Sequence, residues 1–106
     1  MFTHYDILQV INKVLNESEI KQLFKSDICF NIVNFELTKA GNINQVSECL
    51  CNYNNFNSTL DCTHFIGLLI KEFLNLDPKF DREQFFINCC QSTDEYGKVI
   101  TNYIRL

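Results

Sequence analysis

The segment from about 60 to 76 constrains this chain more than any other. Leu60, Phe65, Ile66, Leu69, Ile70, Phe73 and Leu74 recur at i, i+3 and i+4, the spacing of one helix face. They cover more than half of the helix circumference, so this helix must be wrapped by others. Asp77-Pro78 stops it, because proline disfavours helical backbone in the residue before it. In a chain of 106 residues, one enclosed helix leaves room for one core and one domain spanning 1–106. The expected fold class is all-α: a compact bundle of five to seven short helices.

The flanking segments supply the wrapping. Thr3 and Asp6 approximate a capping box ahead of Ile7, Leu8, Ile11, Val14 and Leu15, with Asn16 ending that helix. Ile20, Leu23 and Phe24 suit a short second helix. Residues 28–40 are ambiguous. Ile28, Phe30 and Ile32 alternate like a strand, whereas Cys29, Phe30, Val33, Leu37 and Ala40 follow helical spacing. Helix is preferred because a lone strand has no pairing partner; an α+β fold with a short strand at 28–37 is the alternative. Asn44 is read as the cap of another short helix carrying Val46, Cys49, Leu50 and Tyr53. Asn52, Asn54, Asn55, Asn57, Ser58 and Thr59 form a loop. Asp81 followed by Gln84 opens a helix with Phe85, Phe86, Cys89 and Cys90 inward. Ser92 or Thr93 is expected to cap a last helix with Tyr96, Val99, Ile100, Tyr103 and Ile104 as its stripe; a strand at 99–103 is the weaker reading.

The net charge is −4, shared equally by the two halves of the chain. The longest basic cluster is only Lys21 and Lys25. Phosphate contacts dominate nucleic-acid affinity, so direct nucleic-acid binding is not expected. No run of 18 apolar residues is present, so no membrane span is expected. The first residues lack the basic region and apolar run of a signal peptide. The expected compartment is therefore the cytoplasm, with reduced cysteines.

Six cysteines and two histidines carry most of the reactive chemistry. Cys49, Cys51, Cys62 and His64 are four potential zinc ligands. Their C-x-C and C-x-H spacings oppose that role: on a helix, residues two apart point about 200° from one another. Buried thiols are the preferred reading, and no metal or cofactor is expected. The adjacent Cys89 and Cys90 read as core thiols. Cysteine catalysis needs a lowered pKa and a nearby base, and neither is evident around Cys62 and His64. Asp77, Asp81 and Glu83 bracket a helix–helix turn, and Asp94 and Glu95 open a helix; capping and dipole compensation account for both groups. Phosphate-cradling, hydrolase-elbow and zinc-protease signatures are absent. An enzyme is not expected.

The segment Phe73-Leu74-Asn75-Leu76-Asp77-Pro78-Lys79-Phe80-Asp81-Arg82-Glu83-Gln84-Phe85-Phe86-Ile87-Asn88-Cys89-Cys90, with His64-Phe65 ahead of it, resembles small phage and mobile-element proteins. Those proteins carry a segment like N-P-x-F-D-R-x-x-F-x-x-x-C after a helix. The matching positions are Pro78, Phe80, Asp81, Arg82, Phe85 and Cys89, within residues 64–90, about a quarter of the chain. Asp77 stands where Asn is usual, and Cys90 where a small residue is. The resemblance implies a mobile-element origin and a helical corner, without implying an activity.

These observations favour a small acidic protein-binding module. The leading expectation is a phage or mobile-element inhibitor of a host defence or nucleic-acid-processing complex, of the anti-CRISPR kind, acting by steric or charge-mimic blockade of a basic protein. An immunity or antitoxin protein and a zinc-stabilised module are the alternatives, and a homodimer is compatible with all three. Tyr53, Phe56, Asp77, Asp81, Glu83, Asp94 and Glu95 are the candidate partner contacts; Phe56, a large apolar side chain in a polar loop, reads first as tucked back into the core and second as a partner anchor.

Overall fold

The computed structural model describes residues 1–51, 53–93 and 99–101. Five helices carry the fold: α1 His4–Leu15, α2 Asp27–Lys39, α3 Ile43–Leu50, α4 Thr59–Leu76 and α5 Arg82–Cys90, with single 3-10 turns at Ile20–Leu23 and Tyr53–Asn55. The all-α bundle expected from periodicity is what the chain forms. The alternative strand at 28–37 is replaced by α2, whose Phe30, Val33 and Leu37 face the core.

Each helix begins where its sequence supplies a polar cap. Thr3 and Asp6 complete the capping box of α1, the Thr3 Oγ1 accepting from the Asp6 amide at 3.1 Å and Asp6 Oδ2 accepting from the Thr3 amide at 2.9 Å. Ser26, Asn42, Ser58 and Asp81 each accept an amide N–H of the first turn of α2, α3, α4 and α5. The cap of α3 is Asn42, two residues before the expected Asn44. Its neighbour Gly41 donates its amide to Gln45 Oε1 at 2.6 Å, which secures the turn between α2 and α3.

α4 is the axis of the bundle. Phe65, Ile66, Leu69 and Phe73 are fully buried, and α1, α5 and the Ile20–Leu23 turn pack around them. Leu60 stands out from the expected stripe: it lies in the first turn and is exposed. Against α5 the most extensive partner is α3. Phe85, Cys89 and Cys90 are buried there, whereas Phe86 is exposed; adjacent helical residues diverge by about 100°, so Phe85 and Phe86 do not share a face.

After α5 the chain turns to strand. β1 Gln91–Thr93 pairs antiparallel with β2 Val99–Thr101, in the register Gln91 to Thr101, Ser92 to Ile100 and Thr93 to Val99. This overturns the expected last helix at Val99 and Ile100. Three β-branched residues in succession lose side-chain freedom in a helix and favour extended backbone. Tyr96, Tyr103 and Ile104, the rest of that stripe, lie outside the described residues, as do Asp94 and Glu95.

Candidate functional site

The phenylalanines organise the interior. Around the first half of α4, Phe24 stacks on Phe56 with ring centroids 4.5 Å apart, and meets Phe30 and Phe65 edge-on at 5.2 and 5.6 Å. Around its second half, Phe73 meets Phe2, Phe80 and Phe85 at 5.0, 5.2 and 5.8 Å. Phe56, a candidate partner contact in the sequence, is therefore core and not an anchor. The reason is backbone pairing across 30 residues. Lys25 donates its amide to Asn55 O and Asn57 donates its amide to Leu23 O, at 3.1 and 2.9 Å, and the Asn57 side-chain amide donates to Gln22 O. The Asn-rich loop is thus stitched down, and Phe56 is drawn in. Tyr53 is half-buried and packs against the same core.

The four soft ligands do not gather. His64 lies on the exposed side of α4, whereas Cys62 is buried with its Sγ 4.0 Å from Leu50 O. Cys51 Sγ reaches the carbonyl oxygens of Asn88 and Gln91, at 3.1 and 2.9 Å, and so ties the end of α3 to the end of α5. Among the described residues no group of three or more His, Cys, Asp or Glu is placed to hold a metal. Cys49, Cys51, Cys62 and His64 are therefore not brought together as one ligand set.

The structure instead gathers Cys51, Cys62 and Cys90 near Cys89. Burial pushes the Cys89 thiol well above its ordinary range, and those neighbouring thiols push it further. Burial raises Cys49 to about 11, with the carboxylates of Glu36 and Glu48 adding to the effect. Burial also raises Cys51, again with Glu48. All six cysteines are thiols and not disulfides. Thiols whose neutral form is favoured in this way pack as small hydrophobes and hold little thiolate at neutral pH. Sequence spacing had paired Cys62 with His64, but its spatial neighbour is Cys89, 27 positions along.

The corner carboxylates have local work. Asp81 caps α5 through the Gln84 amide at 3.0 Å, and Asp77 Oδ1 accepts from the Lys79 amide at 3.0 Å. Phe80 precedes the cap and packs on Phe85 at 5.5 Å, a hydrophobic staple between N′ and N4. The segment from Pro78 to Cys89 is in this way a stapled helical corner. Glu83, in the first turn of α5, is exposed, as is Asp81; Asp77 is half-buried.

Two features have no counterpart in the sequence reading. The first is the outer side of α2, where Ile28, Ile32 and Phe35, at i, i+4 and i+7, are 72%, 43% and 61% exposed. The helix is apolar on two faces, and only Phe30, Val33 and Leu37 are used by the core. Lys39 Nζ sits 4.0 Å from the Phe35 ring centroid, covering part of one ring. The alternation that made 28–37 look like a strand arises from these two faces. The second is an ion pair in the α1–α4 seam: Lys13 Nζ lies 2.7 Å from Glu72 Oε2. Glu72 is the one buried charged residue among those described.

No described helix is long and apolar enough to cross a membrane. Comparison with protein-family models, with curated proteins and with solved structures finds no match to this chain.

Proposed function

We propose that this chain is a small acidic protein-binding module, and that the outer face of α2 is its principal contact. The observation that carries the reading is the exposed row Ile28, Ile32 and Phe35. Three large apolar side chains aligned on one helix face form the kind of helix-borne anchor that a hydrophobic groove accepts. Scattered surface apolar residues need no explanation, but an aligned row on a helix whose other face is already packed does. Each side chain covered by a partner would contribute about 1–2 kcal/mol. The net charge of −4 favours encounter with a basic partner.

The partner class follows from the same balance. A basic groove that normally holds nucleic acid is the surface an acidic, helical blocker of this size would fit. A target within host defence or nucleic-acid processing, as for anti-CRISPR inhibitors, is the part of this proposal that leans on the resemblance of the Pro78–Cys89 segment to phage and mobile-element proteins.

The test compares the unmodified protein with Ile32→Glu and Phe35→Glu in capture from host lysate, followed by mass spectrometry. A basic protein held by the unmodified chain and lost from both variants, with thermal midpoints unchanged, supports the reading. Equal capture by all three chains refutes α2 as the contact. Sedimentation that shows a dimer abolished by Ile32→Glu assigns the face to a second copy instead.

A further inference from the structure

An open groove of about 470 Å³ runs along the α1–α4 seam, lined by Gln9, Val10, Asn12, Lys13, Glu72, Asn75 and Leu76. Glu72 lies at its edge with a side chain only 9% exposed, while that of Lys13 is 65% exposed. A buried carboxylate is a costly way to join two helices: apolar residues of similar volume often do it as well or better. Its presence calls for a role beyond adhesion.

The present occupant uses the carboxylate incompletely. Lys13 meets Oε2 as a point charge on a flexible stem. Oε1 receives the Asn75 amide at a long 3.4 Å, although a carboxylate offers about four acceptor positions. The rest of the lining is uncharged: three carboxamides and the apolar Val10 and Leu76. Gln9 gives an amide N–H to the Tyr5 hydroxyl at 2.8 Å, which leaves its carbonyl oxygen as an acceptor.

A planar guanidinium matches this set. Two parallel N–H donors meet both oxygens of one carboxylate, the arrangement in which arginine outperforms lysine. The carboxamide carbonyls of Gln9 and Asn12 can take the remaining N–H groups, and Val10 with Leu76 can flank the aliphatic stem. We propose that the α1–α4 groove is a docking site for an arginine side chain of a basic protein partner, which Glu72 accepts in exchange for Lys13. The site is separate from α2, so it adds a second contact to the module and stands or falls independently of the first.

The test is a titration of the whole chain, followed by backbone-amide NMR, with acetyl-arginine amide and its uncharged analogue acetyl-citrulline amide. The arginine probe should give saturable shifts confined to residues 9–13 and 72–76, and the citrulline probe none. Glu72→Gln should abolish the response. Lys13→Ala should tighten it about two- to fivefold, the factor that an ion pair with one exposed partner can withhold. A merely structural ion pair predicts no tightening, so an unchanged or weaker response in Lys13→Ala overturns the proposal even if Glu72→Gln fails to fold. Equal shifts with citrulline, or the same residues responding to inorganic phosphate, also overturn it.

Discussion

The two groups of four phenylalanines, one at each end of α4, are built from the same residue and closed to different degrees. At the first, Phe24, Phe30, Phe56 and Phe65 are all buried, because a loop from one side and a turn from the other pair their backbones over the rings. At the second, Phe73 and Phe85 are buried, while Phe2 and Phe80 are only partly covered. Phe2 precedes the first helix, and Phe80 sits in the α4–α5 turn, and among the described residues no paired backbone segment closes over either ring. The difference shows that an aromatic core is closed by long-range backbone pairing as much as by apolar content. The first group forms the closed end of the molecule and the second the more open one.

Phe56→Ala should produce the largest effect. It removes the ring that holds the loop down and leaves a cavity at the closed end, costing about 3–5 kcal/mol; urea unfolding with an unchanged slope would measure it. Phe80→Ala, at the open end, should cost about 1–2 kcal/mol, since the ring is already half-exposed and it loses its contacts with Phe2, Phe73 and Phe85 without opening an enclosed cavity. Equal losses for the two variants would erase the distinction between the ends.

Alkaline titration sharpens the same contrast. Cys49 and Cys89 are acids whose folded pKa is raised, so folding favours their protonated form. That stability is complete below the ordinary thiol value of about 9 and is lost as pH rises through the folded value, about 11 for Cys49. Lys13, whose pKa is raised by hydrogen bonding and attraction to Glu72, weakens with the same sign. The thermal midpoint should therefore fall between pH 9 and 11. Cys89 is buried in α5, whose most extensive partner is α3, so circular dichroism should show loosening and carbon-detected NMR shifts should change first in residues 82–90. Uniform change along the chain would contradict this.

The smallest effect on stability is expected for Ile32→Glu. The side chain touches neither aromatic group, and a change of no more than about 0.5 kcal/mol fits a surface position. A large loss would mean that the outer face of α2 is already covered, and would remove the proposed contact.

Much of this was legible from residue order. The Thr3–Asp6 capping box, the halt at Asp77-Pro78, the Asp81 cap and the central position of α4 are local matters of hydrogen-bond geometry and period, and all formed as read. The features that residue order leaves open are non-local or sit where local signals conflict. Phe56 in its polar loop reads as core or as partner anchor, and it is core; nothing in its neighbours announces the pairing with residues 22–25 that draws it in. The Cys49–His64 spacing reads as thiols packed in the core, but it cannot show that Cys51 and Cys62 lie near Cys89 of α5. The last helix was a misreading of Val99 and Ile100, whose apolar spacing fits a helix but whose branching favours a strand.

The functional features divide along the same line. Sequence alone determined an acidic all-α bundle, because helix period, caps and charge are properties of neighbouring residues. Only the tertiary structure decided which apolar face of α2 the core would leave exposed, and that Glu72 would be buried in a groove against Lys13. Those outcomes depend on which surfaces other helices occupy, and a linear pattern of hydrophobic residues does not specify its own partner.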